Sequence, residues 1–403
     1  MFPLSRRGQR MPASPIRKLY PFSEAAKRRG IHVFHLNIGQ PDIPTPKPIR
    51  DAIRNYSDPV LSYGPSQGLE EMRKSLVDYY RRSGLEVEKE NFFVTTGGSE
   101  AIVFTLMAIC DEGEEVLIPE PFYTNYAGFT EMAGVHPVPI STRVEEGFHL
   151  PQREEIESLI TQKTRAILYC SPNNPTGALY SKEEVERLAR IAKERDLFLL
   201  ADEVYREFVF DGRDHTSLFQ MEGLGGRAVV LDSFSKRFSV CGARIGCVVS
   251  RNLELLDSLL RFGQARLCPP TLGQIGVMAG IREMDQFIGE IIREFERRRD
   301  IVYECLQEIQ VGAIHELPLH KPEGAFYVMA KLPVEDAESF AQWLLTDFHL
   351  NGKTTMVAPG PGFYTTPGKG VEEVRIAYVL NEKDLREAME VLRRGVEEYN
   401  RRK

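Results

Sequence analysis

The residues that invite a chemical reading first lie in the run Ser233-Phe234-Ser235-Lys236, followed by Gly242-Ala243-Arg244-Ile245-Gly246. A lysine taken at random is a solvated surface cation. Here two serine hydroxyls flank Lys236 and can donate to a phosphate, and Arg244 can grip one with two parallel bonds. Neighbouring cations also favour the neutral amine that attacks a carbonyl to form a Schiff base. Asp202, in Asp202-Glu203-Val204-Tyr205, reads by default as a turn or cap residue. Set against a pyridine nitrogen, the same carboxylate would keep that nitrogen protonated and make the ring an electron sink.

These groups need a scaffold that brings them together. From about residue 92 to 250, short apolar runs alternate with amphipathic helical patterns, which predicts an α/β fold: a mostly parallel sheet with helices on both faces. The expected strands are Phe92 to Thr95, Glu115 to Ile118, Arg165 to Cys170, Leu197 to Ala201, Ala228 to Leu231 and Gly246 to Val249. Ser181-Lys182-Glu183-Glu184 has capping-box spacing, and Val185, Leu188, Ala189 and Ala192 form the apolar stripe of the helix that follows. A charged helix is expected from about Asp285 through Gln307, then a strand from Val374 to Leu380 and a closing helix. The segment before Lys47, rich in proline and glycine, reads as irregular, although Ile31, Val33, Phe34 and Leu36 must pack on something.

Ligands of open α/β sheets bind beyond the carboxyl ends of the strands. Those ends carry Gly97-Gly98-Ser99, Pro121-Phe122-Tyr123, Asn173-Asn174-Pro175, Asp202 with Tyr205, and the Lys236 run. The glycine pair before a helix could present free N-H groups to an anion, or simply make a tight turn. No dinucleotide fingerprint and no Walker lysine accompany it.

The run Ser233 to Gly246 resembles the lysine signature of class I aminotransferases, the pyridoxal 5′-phosphate (PLP) enzymes of fold type I. Gly39-x-Pro41-Asp42, Tyr63-Gly64, Pro121-x-Tyr123, Asn174-Pro175-Thr176-Gly177, Asp202-x-x-Tyr205 and Val374-Arg375-Ile376 match in family order and span almost the whole chain. The resemblance implies that Lys236 holds PLP as a Schiff base and moves the proton during transfer. It implies that Asp202 pairs with the ring nitrogen, Asn174 and Tyr205 bond the phenolic oxygen, and Tyr123 stacks on the ring. Gly98, Ser99, Ser233, Ser235 and Arg244 would hold the phosphate, with Tyr63 reaching it from the other subunit of a homodimer. Arg375 would take the substrate α-carboxylate, with Gly39 and Asn174 beside it. The implied reaction is ping-pong transfer of an amino group from an L-amino acid to a 2-oxo acid such as 2-oxoglutarate. A large PLP domain would span residues 47–285, and residues 1–46 and 286–403 would form a small α/β domain.

Two rivals share these motifs: a carbon-sulfur β-lyase on the same fold, and a non-catalytic PLP-binding regulatory domain. The second would need a DNA-binding module, for which the segment before Asn37 is expected to be too short. Aspartate is the default donor for the subgroup, yet relatives specific for acidic substrates place a basic side chain on the distal carboxylate, and Ser99 stands at one such position. Arg261 and Arg266 lie near another.

Composition narrows the setting. A net charge of −7 argues against nucleic acid as a partner. The tightest cysteine pair, Cys241 and Cys247, has no histidines beside it, so no metal is expected. The start carries no apolar stretch of signal-peptide length, the longest apolar run, around Ala101 to Cys110, is half of what a membrane span needs, and a cytoplasmic protein is expected.

Overall fold

A computed structural model of the chain describes residues 2–311 and 318–402. Its strands are β1 (His32–His35), β2 (Phe92–Thr95), β3 (Glu115–Glu120), β4 (His136–Ser141), β5 (Thr164–Cys170) and β6 (Phe198–Asp202), then β7 (Ala228–Ser233), β8 (Gly246–Ser250), β9 (Tyr327–Lys331), β10 (Lys353–Met356), β11 (Ala358–Pro359) and β12 (Glu373–Ala377). Seven of them form one sheet in the order β2-β8-β7-β6-β5-β3-β4. Only β8 opposes its neighbours, pairing antiparallel with both β2 and β7. The other six strands point the same way, so their carboxyl ends share one edge.

Period-two alternation along these strands feeds two cores, one on each face. Val116, Leu168, Leu200 and Leu231 join Ile102 and Leu106 of the helix Gly97–Ile109 in one cluster. Leu117, Ile167, Leu199 and Val230 join Val185 and Leu188 of the helix Lys182–Glu194 in the other. That second helix starts where the capping box predicts: Glu184 N donates to Ser181 Oγ at 3.3 Å, and Ser181 N to the Glu184 carboxylate at 2.7 Å.

A smaller α/β region joins the two ends of the chain. Parallel pairing sets β1 beside β10, and β11, β12 and β9 make a three-stranded antiparallel sheet. The long helix Ile288–Val311 packs on the closing helix Glu382–Arg401. Among the described residues no helix is long and apolar enough to cross a membrane, and no group of side chains could hold a metal ion.

The irregular reading of the N-terminal segment needs correction. Helices at Arg6–Arg10 and Tyr20–Arg28 and the strand β1 lie within it, joined by loops and turns, and a further loop runs from β1 to residue 46. The strand escapes a local reading because its partner β10 is about three hundred residues away in sequence, and pairing, more than composition, makes it a strand. Strand β4 was not expected either. Pro137 and Pro139 argue against a strand interior, but β4 is the sheet edge, where a missing N-H on the outer side costs nothing.

Away from the strand ends, His149 joins three pieces of chain. Its Nδ1 lies 2.9 Å from the Glu184 carboxylate, which also accepts from Leu150 N, and its Nε2 lies 3.5 Å from Glu323. The hydrogen bond to Glu184 raises the imidazole pKa above its ordinary value. Burial works to raise the Glu184 pKa, but the bonds from His149 and Ser181 outweigh it and leave it lowered. The imidazolium contribution is complete below the unfolded histidine value, about 6.5, and disappears as pH rises through the higher folded value. We predict that His149→Gln lowers Tm more at pH 6 than at pH 9, measured by thermal unfolding at both; an equal loss at the two values removes the charged pair as the cause.

Candidate functional site

The common edge of the six co-directed strands borders a cavity of about 420 Å³. Five of the six, all but the edge strand β4, deliver a group to it. After β2 come Gly98 and Ser99 at the start of the helix Gly97–Ile109; after β3 comes Tyr123; after β5, Asn174; at the end of β6, Asp202 and then Tyr205; at the end of β7, Ser233, Ser235 and Lys236. The 3₁₀ turn Cys241–Ala243 leads to Arg244, and the small region adds Gly39 from the loop after β1 and Arg375 from β12. Twelve of the thirteen residues singled out in the sequence therefore line one cavity. Tyr63 does not: it is 81% exposed, on a loop with no contact to the cavity in a single chain.

The phosphate-type corner is built by close approach. Gly97 has φ of +75°, and a Cβ there would lie 2.5 Å from Arg244 Nη2, so only glycine lets the guanidinium lie against the helix start. Arg244 itself sits in the left-handed region at φ +56°, which an arginine adopts only when its surroundings impose it. Its Nη1 donates to the Cys241 carbonyl at 3.0 Å, while the Ser233 and Ser235 hydroxyls bond each other at 3.0 Å. Among the described residues no carboxylate pairs with Arg244. Two hydroxyls, a helix N-terminus and an unpaired guanidinium make an anion site.

Deeper in, Asp202 is buried with no cation in contact. Tyr126 OH donates to its Oδ2 at 2.6 Å and Val204 N to its Oδ1 at 3.3 Å. Burial raises its pKa to about 6 against the pull of the Tyr126 bond. A protonated ring nitrogen would supply the missing positive charge. Lys236 Nζ donates to the Gly39 carbonyl at 2.6 Å and lies 4.0 Å from Cys241 Sγ. Burial lowers the ammonium pKa, and the charges of Arg375 and Arg244 lower it further. The lysine is held towards its neutral, nucleophilic form.

Arg375 is neither a surface arginine nor on a sheet edge. It is 2% exposed, on the central strand of its sheet, and burial lowers its pKa. Its Nη1 donates to Asn174 Oδ1 at 3.0 Å and its Nη2 to the Asn37 carbonyl, while Nε has no partner among the described residues. The rings of Tyr327 and Phe363 lie 4.6 and 5.0 Å from the guanidinium carbon. A buried guanidinium with an orphaned N-H and no carboxylate is made for a ligand anion.

Three supporting residues went unnoticed in the sequence. Tyr327 bonds Tyr205 OH at 2.9 Å and lies so near Gly39 that a Cβ there would fall 1.7 Å from its hydroxyl. Tyr126 holds Asp202. Arg237, turned away from the cavity, pairs with buried Asp232, which also accepts from the Ser233 N-H at 2.7 Å and from Tyr80 OH at 2.9 Å, and so pins the loop that aims Lys236. Tyr126 had no signal beyond lying three residues after Tyr123, and Tyr327 had none; Arg237 follows the lysine directly. Together the residues fit PLP: an anion corner for its phosphate, a carboxylate awaiting a ring cation, the Tyr123 ring on the wall, and an amine of lowered pKa.

Comparison with known proteins agrees with this fit. The family model for aminotransferase class I and II matches residues 31–392. The chain is 34% identical over 392 residues to a putative aminotransferase, YugH, of Bacillus subtilis, covering 96% of each chain, and 32% identical to aromatic-amino-acid aminotransferase 2 of Thermococcus litoralis, covering 98% of each. Among solved structures it is similar to the aspartate aminotransferase of Thermus thermophilus with maleate, at TM-score 0.87 and 31% identity, covering 98% of this chain and 100% of that one. The alanine aminotransferase of Pyrococcus furiosus superposes with TM-score 0.88 at 28% identity and the same coverage. With the sheet, the cavity and a match over nine-tenths of its length in accord, the chain belongs to the class I and II aminotransferases, PLP-dependent enzymes of fold type I.

Proposed function

We propose that the protein carries an amino group from an L-amino acid, aspartate being one candidate, to a 2-oxo acid such as 2-oxoglutarate, in two half-reactions at the same site of a homodimer. The observation that carries this reading is the buried Arg375, with no carboxylate partner and an orphaned Nε among the described residues, in one cavity with Lys236 and Asp202. Bound PLP supplies an electron sink for the pair left on the substrate α-carbon. Asp202 would hold the proton on its ring nitrogen, and Asn174 and Tyr205 its phenolic oxygen. Gly98, Ser99, Ser233, Ser235 and Arg244 would hold its phosphate, and Tyr123 would cover the ring. Arg375 orients the substrate through its α-carboxylate, with Gly39 above it. Lys236 Nζ then takes the proton from the α-carbon.

Tyr63 belongs to the same proposal as a partner-subunit contact to the phosphate. Its exposure beside exposed Val60 and Leu61 favours a covered position in a dimer over a free one. The domain division at residues 47–285 is read the same way, with the end segments as the smaller body. Six unpaired cysteines suit a reducing, cytoplasmic setting.

Lys236→Ala should abolish transfer, and borohydride should fix cofactor to the peptide containing Lys236 in the wild type only; fixation to another peptide ends the lysine assignment. Release of a 2-oxo acid from donor alone, followed by consumption of a second 2-oxo acid, supports transfer. Pyruvate and ammonia from a cysteine conjugate as the sole products would replace transfer by elimination.

Arg375→Lys should lower kcat/KM for every amino donor by roughly a hundredfold, because a point charge cannot reproduce two parallel bonds to a carboxylate. PLP affinity, followed by equilibrium titration, should hardly change. Wild-type kcat/KM across a donor panel would put the carboxylate clamp elsewhere.

Tyr63→Phe should weaken PLP retention by about 1.5 to 3 kcal/mol, the worth of a hydrogen bond to a charged group. Mixing Lys236→Ala subunits with a severely impaired Tyr63 variant should restore activity, since one site of each hybrid dimer then has an intact lysine and an intact tyrosine. Proven hybrids without recovery would show that Tyr63 completes no shared site.

A further inference from the structure

The charged side chains lining the cavity are Arg17, Asp202, Lys236, Arg244 and Arg375. The last four have work in the reaction proposed above; Arg17 has none. Its side chain is exposed and, among the described residues, makes no hydrogen bond or ion pair. Its backbone, in contrast, is firmly held. Arg17 N donates to the Ser14 carbonyl at 3.1 Å, and Asn37 Nδ2 donates to the Ile16 carbonyl at 3.4 Å. Pro15 sits where a Cβ on Gly362 would be, 2.2 Å away, next to the Phe363 ring that faces Arg375. Lys18, the next residue, is tied to Glu338.

Asn37 makes the link informative. Its carbonyl accepts from Arg375 and its side-chain amide donates to Ile16. The segment bearing Arg17 is thus fixed through a single residue to the group that orients the α-carboxylate. Arg17 stands at the cavity mouth as a second, uncommitted guanidinium, and its charge also acts on the Tyr123 phenol. The other basic candidates are occupied. Arg266 is paired with Glu100 at 3.0 Å, Arg261 with Asp257, and Ser99 carries no charge.

We infer that Arg17 binds the distal carboxylate of short dicarboxylic amino and 2-oxo acids, making the enzyme selective for substrates of the aspartate, glutamate and 2-oxoglutarate class. The inference rests on the transferase reading, in which donor and acceptor occupy the same site in turn. One cation at the mouth therefore serves both: the α-carboxylate goes to Arg375, and the side-chain carboxylate to Arg17.

The test uses the PLP-loaded enzyme and its Arg17→Gln, Arg17→Lys and Arg17→Glu variants, with two readouts. The first is selectivity, as the kcat/KM ratio of glutamate over alanine and of 2-oxoglutarate over pyruvate. The second is the calorimetric Kd of maleate, a dicarboxylate with no amino group to transfer. Arg17→Gln should lower both ratios and weaken maleate by about tenfold or more, the range of a hydrogen-bonded charge pair. Arg17→Lys should keep part of the effect, Arg17→Glu should lose more than Arg17→Gln, and added salt should erode wild-type selectivity. Ratios and maleate Kd within about twofold of wild type in both Arg17→Gln and Arg17→Glu, the size of an idle surface charge, overturn the inference and leave the transferase reading intact. A wild type that transaminates but rejects every dicarboxylate overturns it too. A wild type without transaminase activity defeats the transferase reading instead, and the maleate measurement still decides what Arg17 binds.

Discussion

Burying a guanidinium without a carboxylate is among the costlier things a fold can do, and Arg375 is held that way. Three distant parts of the chain share the cost. The Asn37 carbonyl comes from the N-terminal loop, the Asn174 amide from the end of β5, and the Tyr327 ring from β9. Each satisfies the arginine only in part, since acceptors that are dipoles and ring faces do not neutralise a full charge. The mouth of the large sheet and the small region made from the chain ends are thereby drawn to one point. Asp202 is the complementary case: a carboxylate left with a phenol and an amide N-H but no cation. A molecule bringing a carboxylate to one and a protonated nitrogen to the other relieves both.

Sheet direction makes this economical. With six of seven strands running one way, every loop that follows one of them opens on the same edge, so side chains scattered from residue 98 to residue 236 converge without long excursions. The antiparallel β8 does not spoil the arrangement. It returns the chain after Arg244 and lies between β2 and β7, which places the glycine loop after β2 near the serines after β7: a Cβ on Gly98 would touch Ser233.

Much of this was legible without coordinates because the large sheet is buried on both faces. Continuous apolar runs such as those of β5 and β7 need no partner to be recognised, and observed ends differ from expected ones by at most two residues there. The helix after Ser181 announced itself through its own cap. What stayed hidden depends on distant pairing or on context that reverses a residue's ordinary habit. Strand β1 is made by β10, and β4 tolerates prolines because it is an edge. Tyr126 and Tyr327 look like any core aromatic until their hydroxyls are seen on Asp202 and Tyr205. Arg17 lies in a stretch that reads as a tail, and nothing local says that Asn37 and Gly362 fasten it to the mouth of the cavity.

The way that stretch is fastened has an evolutionary corollary. The anchors of residues 14–18 use backbone atoms, the Pro15 ring, the Ile16 side chain packed on the core or Lys18, and none uses the Arg17 side chain. Replacing that side chain leaves the anchors, and with them Arg375 and Lys236, where they are. Preference and chemistry are accordingly modular here: mutational drift at a single rim position can retune which acids are accepted, while the reactive machinery stays under its own separate selection.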